Sequence, residues 1–429
     1  MIDSPSTRRG LCVETFAGWG GLSLGLEQAG FDIQVSLDIE PVNVATHDFN
    51  FGYGRSLRGD MFQDQTSAIR RALPSGEEID AMAMGRDAET ILGRPELVLA
   101  SGGPPCQGIS QIGRRDPNDP RNKLMDSFVE HGTQLGARYL LMEQVGALLQ
   151  KQNAEHLDHL REKLHQAGYS MVDPQILRAI DFGVPQRRER VFLMIYRNDQ
   201  VAPVYPSPTH GDSSDFFLKP TPTVRDALDG LADADEYEEL WDRDWAEAGC
   251  QHASTWYSRV MTGLENDPED LSYRRVWRRD RLTCSQRTRH DPASIARFME
   301  TLPGGNERIS RRHRLHPDGQ SLTLRAGSNA EHGSFTAVVP LHPKGSRVIT
   351  AREAARLHSI PDWVQLSATK IWAYRQIGNS VCPLLARAVG KSIATAAGLA
   401  PSQPVDVVEM GDTSLLTVAN SMPRRSLAA

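Results

Sequence analysis

Leu11-Cys12-Val13-Glu14-Thr15-Phe16-Ala17-Gly18-Trp19-Gly20-Gly21 is the stretch on which the fold turns. Residues 11–16 read as a buried strand, and residues 22–29, just past the glycines, as the helix it feeds. Glycines between a strand and a helix let the backbone come close to a ligand, where the helix N-terminus offers unpaired N–H groups. The pattern differs from the G-x-G-x-x-G fingerprint, so alone it leaves a nicotinamide site and another nucleotide site both open. Outward from it, residues 31–37, 96–100, 138–142 and 191–196 read as further strands, spaced by helical stretches. That alternation predicts an α/β fold: a parallel, doubly wound sheet with helices on both faces.

Acids follow at the right places for an adenosine ligand. Asp38 closes the second strand, about twenty residues after the glycine turn, where a carboxylate can accept both ribose hydroxyls. Gly59-Asp60-Met61 offers a second acid, for an adenine amino group. Gly102-Gly103-Pro104-Pro105-Cys106-Gln107-Gly108 comes directly after the third strand, where open α/β sheets place their active sites. Prolines and glycines pack poorly, so Cys106 reads as an exposed, rigidly held nucleophile, whereas Cys12 and Cys382 lie in apolar runs and read as core.

Composition narrows the field. The 429 residues carry 48 Lys plus Arg against 54 Asp plus Glu, a net charge of −6, with 39% hydrophobic and 24% charged residues. No apolar run approaches the ~18 residues of a membrane span, and the N-terminus lacks a secretory signal, so a cytoplasmic protein is expected. Five cysteines at no paired spacing predict neither disulfides nor a metal site. The average conceals an asymmetry: residues 225–247 hold ten acids and two arginines, and residues 274–314 twelve arginines and four acids, a local balance of +8. The long donors and short polar residues of the second block favour nucleic-acid contact over a solvated helix face, with Arg278, Arg281, Arg287 and Arg289 as candidates. Prolines at 203, 206, 208, 220 and 222 put a boundary near 205, and Pro340 and Pro343 put another near 340. Residues 64–95 form an insert of helical composition with no legible chemistry, and residues 401–429 read as a poorly ordered tail.

Five segments occur in a fixed order: Phe16-Ala17-Gly18-x-Gly20-Gly21, Pro104-Pro105-Cys106-Gln107-Gly108, Glu143-Gln144-Val145, Gln186-Arg187-Arg188-Glu189-Arg190 and Gly378-Asn379-Ser380-Val381. Together they resemble the motifs of the cytosine-5 DNA methyltransferases, over roughly residues 11–200 and 345–390. The resemblance implies a Rossmann-like class I methyltransferase sheet with a smaller target recognition domain. It also implies transfer of a methyl group from S-adenosyl-L-methionine, leaving S-adenosyl-L-homocysteine, to C5 of a flipped-out cytosine. Cys106 would add to C6 and Glu143 would serve N3, while Arg188 and Arg190 would neutralise charge on O2 and hold Glu143. Phe16 would meet the adenine, Asp38 the ribose and Asp60 the adenine amino group. Gly18, Gly20, Gly21, Ile39, Met61, Pro105, Leu124, Asn379 and Ser380 would complete the donor pocket. Ser110, Arg114, Arg115 and Arg121 would belong to a loop that closes over DNA. No metal is needed. Two departures stand out: Gln144 occupies a usual Asn position, and Ile39 a position often aromatic. Trp19 could compensate as an adenine platform or sit in the core.

On this resemblance residues 1–205 and 341–400 form the catalytic domain and residues 206–340 the target recognition domain, whose size argues for double-stranded DNA over transfer RNA. The reading is a restriction-modification or related defence enzyme, a monomer on DNA and without membrane attachment. The alternatives are an RNA-directed member of the superfamily and a non-catalytic DNA-binding relative.

Overall fold

The computed structural model describes residues 9–73, 96–105, 123–212, 216–249, 252–326 and 339–418. The glycine stretch behaves as its composition demands. Strand β1 (Gly10–Thr15) is buried along almost its whole length and feeds helix α1 (Gly21–Gln28), whose eight residues are all buried. Then follow β2 (Phe31–Asp38), α2 (Pro41–Asn50), β3 (Arg55–Arg58), α3 (Thr66–Ala72), β4 (Leu99–Gly102), α4 (Leu124–Gln134) and β5 (Tyr139–Gln144). After β5 come α5 (Ala154–Gln166), β6 (Tyr169–Met171), β7 (Gln175–Arg178), β8 (Gln186–Arg187) and β9 (Glu189–Arg197).

Eight strands make the main sheet, in the order β3-β2-β1-β4-β5-β9-β6, with β7 also paired to β9. The five from β3 to β5 are parallel. The expectation of a wholly parallel sheet fails at β9, which runs antiparallel to β5, β6 and β7. The connection explains the reversal. Only residues 179–188 separate β7 from β9, too few for the dozen or more that a parallel crossover requires, so the pair closes as a hairpin.

Both faces of the sheet are covered in its middle, so β2 is buried at seven of its eight positions although its sequence alternates apolar and polar residues. On one face Val13, Val35, Leu140 and Leu193 meet Phe128 of α4 and Leu160 of α5. On the other, Ile33, Leu99, Leu141 and Phe192 meet Leu22 and Leu26 of α1 together with Leu385, Val389 and Ile393. The last three belong to the C-terminal helix, Pro383–Ala396. Gly25 and Gly390 allow this helix to approach α1 closely: a Cβ on Gly25 would stand 2.3 Å from Ala386 Cβ, and one on Gly390 2.8 Å from Ala29 Cβ.

The region between residues 206 and 340 is built of short elements, among them helices α6 (Val224–Leu228), α7 (Trp256–Met261) and α8 (Pro292–Glu300). Its Val224, Tyr257, Leu315 and Leu324 share one apolar cluster with Trp19, Leu24 and Phe51 and with Ile349, Leu357 and Ile377. The last two lie on α9 (Ala351–Leu357) and α10 (Lys370–Asn379), which precede α11 (Pro383–Ala396). Residues 401–418 do not fray as expected. Val407–Val408 pairs with Arg274–Arg275, the Gly411 N–H donates to the Phe49 carbonyl, and Leu416 is buried. Apolar side chains too sparse for a periodic pattern still find a seat on α2.

Candidate active site

The glycine turn is a tight left-handed bend. Phe16 (φ 56°), Gly18 (59°) and Gly20 (106°) all take positive φ. A Cβ on Gly20 would sit 2.3 Å from the Phe51 ring, and one on Gly21 2.7 Å from Ser380 Cβ, whereas Gly18 has open space above it. Two of these glycines therefore serve packing, and Gly18 leaves room for a ligand. The Gly18 N–H donates to Asp38 Oδ2 at 2.9 Å, and Asp38 Oδ1 accepts from the Glu40 N–H and Asn43 Nδ2 at 2.8 and 3.2 Å. Burial pushes the Asp38 carboxyl above its ordinary range, while those donors pull the other way. Next along the strand ends, the Gly59 N–H donates to the Asp38 carbonyl, and Asp60 Oδ1 accepts the Phe62 N–H at 3.0 Å. Phe16 packs on the cluster that contains Met61 and Leu124, and Ile39 is 42% exposed. Trp19 is fully buried in another cluster, so it is a core residue and no adenine platform.

At the C-terminal end of β4, Gln144 Nε2 donates to the Pro104 carbonyl at 2.8 Å. A Cβ on Gly103 would lie 3.2 Å from Glu143 Oε2, so the turn carrying Pro105 passes directly over that carboxylate. Glu143 Oε1 forms an ion pair with Arg190 Nε at 2.6 Å. Cys106 itself, with Ser110, Arg114, Arg115 and Arg121, lies outside the described residues. Cys12 and Cys382 are buried as expected, and burial raises both thiols.

Arg188 departs from expectation, for it does not hold Glu143. Its Nη1 donates to the Leu324 carbonyl at 3.0 Å, and Nη2 donates to the Gly378 and Ser380 carbonyls at 3.0 and 2.8 Å. The chain changes pairing partner here: β8 pairs with Ser321–Leu322, and β9 returns to the main sheet. The strand alternation that would align Arg188 with Arg190 is thereby broken. Burial, then the charge of Arg190, lowers the Arg188 pKa below the usual guanidinium range, and three carbonyls oppose its loss of charge.

Two supports escaped the sequence reading. His358 lies between Gln186 Nε2 at 3.0 Å and the Ser380 carbonyl at 3.1 Å. Burial and Arg188 push its pKa well down, so a neutral ring accepts from Gln186 and donates to Ser380. Under the glycine turn, Ser23 Oγ donates to Glu14 Oε2 at 2.5 Å and lies 2.9 Å from His47 Nε2, while His47 Nδ1 is 3.0 Å from both Ser36 and Ser56. Only a buried acid inside an apolar strand hinted at this network.

The four arginines singled out in the block face carboxylates. Arg278 meets Glu247 at 2.8 Å and Asp280 at 2.6 Å, and Arg281 meets Glu247 at 2.9 Å. Arg287 pairs with Asp235 at 2.8 Å and Arg289 with Asp242 at 3.4 Å, both over the Trp241 ring. The acidic run and the arginine run fold against each other, so each of these four guanidiniums already faces a carboxylate. Arg275 is buried against Glu27 of α1, with Nη2 2.8 Å from Oε2.

The amide-ordered Asp38 beside the glycine turn and the Glu143–Arg190 pair beside Pro104 and Pro105 lie at the C-terminal ends of the parallel strands, and the model of the C-5 cytosine-specific DNA methylase family matches residues 11–395. The chain belongs to that family. It is a DNA cytosine-5 methyltransferase. Over 412 residues it is 39% identical to the Type II methyltransferase M.XorII of Xanthomonas oryzae pv. oryzae, covering 96% of this chain and 91% of that one. It is 27% identical to the Type II methyltransferase M.AgeI of Thalassovita gelatinovora, covering 90% and 99%. Among solved structures it resembles one described as a prophage-encoded DNA modification methyltransferase of E. coli, with TM-score 0.67, 26% identity and coverage of 90% and 99%. Among the described residues, no group of His, Cys, Asp or Glu is placed to hold a metal ion, and no helix is long and apolar enough to cross a membrane.

Proposed function

We propose that this methyltransferase modifies C5 of a cytosine flipped out of duplex DNA, through a covalent bond from Cys106 to C6. The observation that carries the reading is the Glu143–Arg190 pair at 2.6 Å beside the Pro104-Pro105 turn. The open space over Gly18 and the amide-ordered Asp38 carboxylate fit S-adenosylmethionine, whose sulfonium supplies an electrophilic methyl when bound. Phe16, Asp38, Asp60, Leu124, Asn379 and Ser380 would hold it. The Cys106 thiolate adds to C6, and a proton at N3, shared with Glu143, lets the ring carry the charge at C5. Arg190 keeps Glu143 aimed and faces charge on the ring. After C5 accepts the methyl, its proton leaves to a base and the C–S bond breaks, returning thiolate and aromatic ring. Arg188 is a positioning residue, tying the Gly378–Ser380 turn to Leu324.

Residues 206–340 are proposed as the target recognition domain and residues 1–205 with 341–400 as the catalytic one. The names of the two Type II relatives support a place in a restriction-modification system. Wild-type protein should form an SDS-stable adduct with DNA carrying 5-fluorocytosine, because fluorine cannot leave C5 as a proton does. Cys106→Ala should lose both adduct and methylation and keep donor affinity. Full turnover by that variant would overturn the assignment, and methylation of transfer RNA alone would favour the RNA-directed alternative.

A further inference from the structure

Twelve arginines between residues 274 and 314 are too many for one role, and the ion pairs divide them. Those at 278, 281, 287 and 289 face acids. Arg274, Arg279, Arg308 and Arg311 of the block are exposed, and of these Arg311 alone lines a groove, together with Arg187 and Arg325 from outside the block. All three are exposed, make no side-chain hydrogen bond or ion pair with any described residue, and line a single groove of about 470 Å³. Thr323, whose Oγ1 donates to the Arg187 carbonyl at 2.8 Å, and Asn306, whose Oδ1 lies 3.1 Å from His313 Nδ1 and whose Nδ2 has no described partner, line it with them.

The groove adjoins the reacting centre. One wall is β8, paired in parallel with Ser321–Leu322, and Arg187 stands three residues before Arg190. The Leu324 carbonyl between Thr323 and Arg325 is the one that Arg188 holds. The other wall is a turn built to present Arg311. Arg311 has φ 55°, a left-handed backbone that costs a non-glycine residue on the order of 1 kcal/mol. Glu307, itself buried, fixes the turn by accepting the Ile309 N–H at 3.0 Å, Ser310 Oγ at 2.5 Å and Arg297 Nε at 3.0 Å. A backbone held against its preference, with a guanidinium that meets no acceptor among the described residues, is arranged for an outside partner.

We infer that this groove, and not the paired arginine run, reads the DNA beside the target cytosine: Arg311 and Asn306 contact base edges, and Arg187 and Arg325 hold phosphates. The Arg311 guanidinium fork suits the major-groove edge of guanine, the Asn306 Nδ2 donor suits a neighbouring base acceptor, and exposed arginines flanking them suit a phosphate backbone. The inference rests on the DNA-methylating function above.

The test uses full-length protein, a 30-base-pair duplex of arbitrary sequence for salt-dependent binding, and bisulfite sequencing of a plasmid carried by expressing cells. Arg187→Ala and Arg325→Ala should each flatten the plot of log affinity against log salt by ~0.9, the loss of one phosphate contact. Arg311→Ala should lower methylation of the wild-type target about 5- to 150-fold and admit other bases at one position. Arg311→Gly, which suits the left-handed backbone, should melt no lower than wild type and show the same relaxed target, separating recognition from folding. Unchanged target and rate in both Arg311 variants would overturn the proposal. So would a slope flattened by Arg278→Ala or Arg281→Ala but not by Arg187→Ala or Arg325→Ala. A wild-type protein that binds the duplex with the expected slopes yet forms no 5-fluorocytosine adduct would count against the covalent function and leave the groove standing.

Discussion

Gln144 and Gly18 show how little material positions the chemistry. The Gln144 amide is the one described side-chain tie on the Pro104 carbonyl, and Cys106, the proposed nucleophile, follows two residues later. Gln144→Ala should therefore lower kcat by up to ~100-fold, the scale set by misplacing a reacting group by about an ångström. Donor affinity should stay near wild type, and a fall in affinity with kcat intact would show that the amide supports the donor pocket instead. Gly18 offers the converse case. At φ 59° with nothing within 4 Å of an added Cβ, it can accept a side chain at the cost of ~1–2 kcal/mol of backbone strain. Gly18→Leu should thus remain folded and bind S-adenosylmethionine at least tenfold more weakly by calorimetry; full affinity would place the adenosine elsewhere.

Between elements, the decisive contacts are those the sequence hides. The Glu27–Arg275 pair joins α1 to a segment 248 residues away, and both side chains are almost fully buried. Removing one partner strands the other charge, so Arg275→Met should lower unfolding free energy by ~3–5 kcal/mol in urea titrations, whereas Glu27→Leu with Arg275→Met should recover most of it. A double variant no more stable than the single would show that packing, not charge, dominates. The strands, the glycine turn and Asp38 were legible because each has a local signature: apolar runs, clustered glycines, an acid at a strand end; Glu143 was legible only through the resemblance carried by the ordered motifs. What was not legible depends on partners distant in sequence. The direction of β9 follows from a short hairpin whose β7 strand shows no apolar pattern. The arginine block looks like a DNA face until the acids of residues 233–247 fold onto it. Nothing local tells Arg188 from Arg190, because the break between β8 and β9 is set by Ser321–Leu322.

For the molecule as a whole, the network beneath the glycine turn sets two opposed pH limits. Burial raises Glu14 from 4.5 to about 8 and lowers His47 from 6.5 to about 3. The Glu14 contribution is complete below about 4.5 and is lost as pH rises through 8; that of His47 is complete above 6.5 and is lost as pH falls toward 3. Glu14→Gln should flatten only the alkaline side, so its urea midpoint should change less than wild type between about pH 6 and 9; parallel curves would place the titration elsewhere. The packing of α1 against α11 has a consequence in time. Gly21 rests on Ser380, and the apolar face of α1 on Leu385 and Val389, which a ribosome adds about 360 residues after the turn itself. At ~5–20 residues per second, the first strands wait roughly 20–70 s with one face uncovered. A chain that stops short of Asn379 leaves Gly21 and the α1 side chains Leu22 and Leu26 without the partners that cover them in the finished fold.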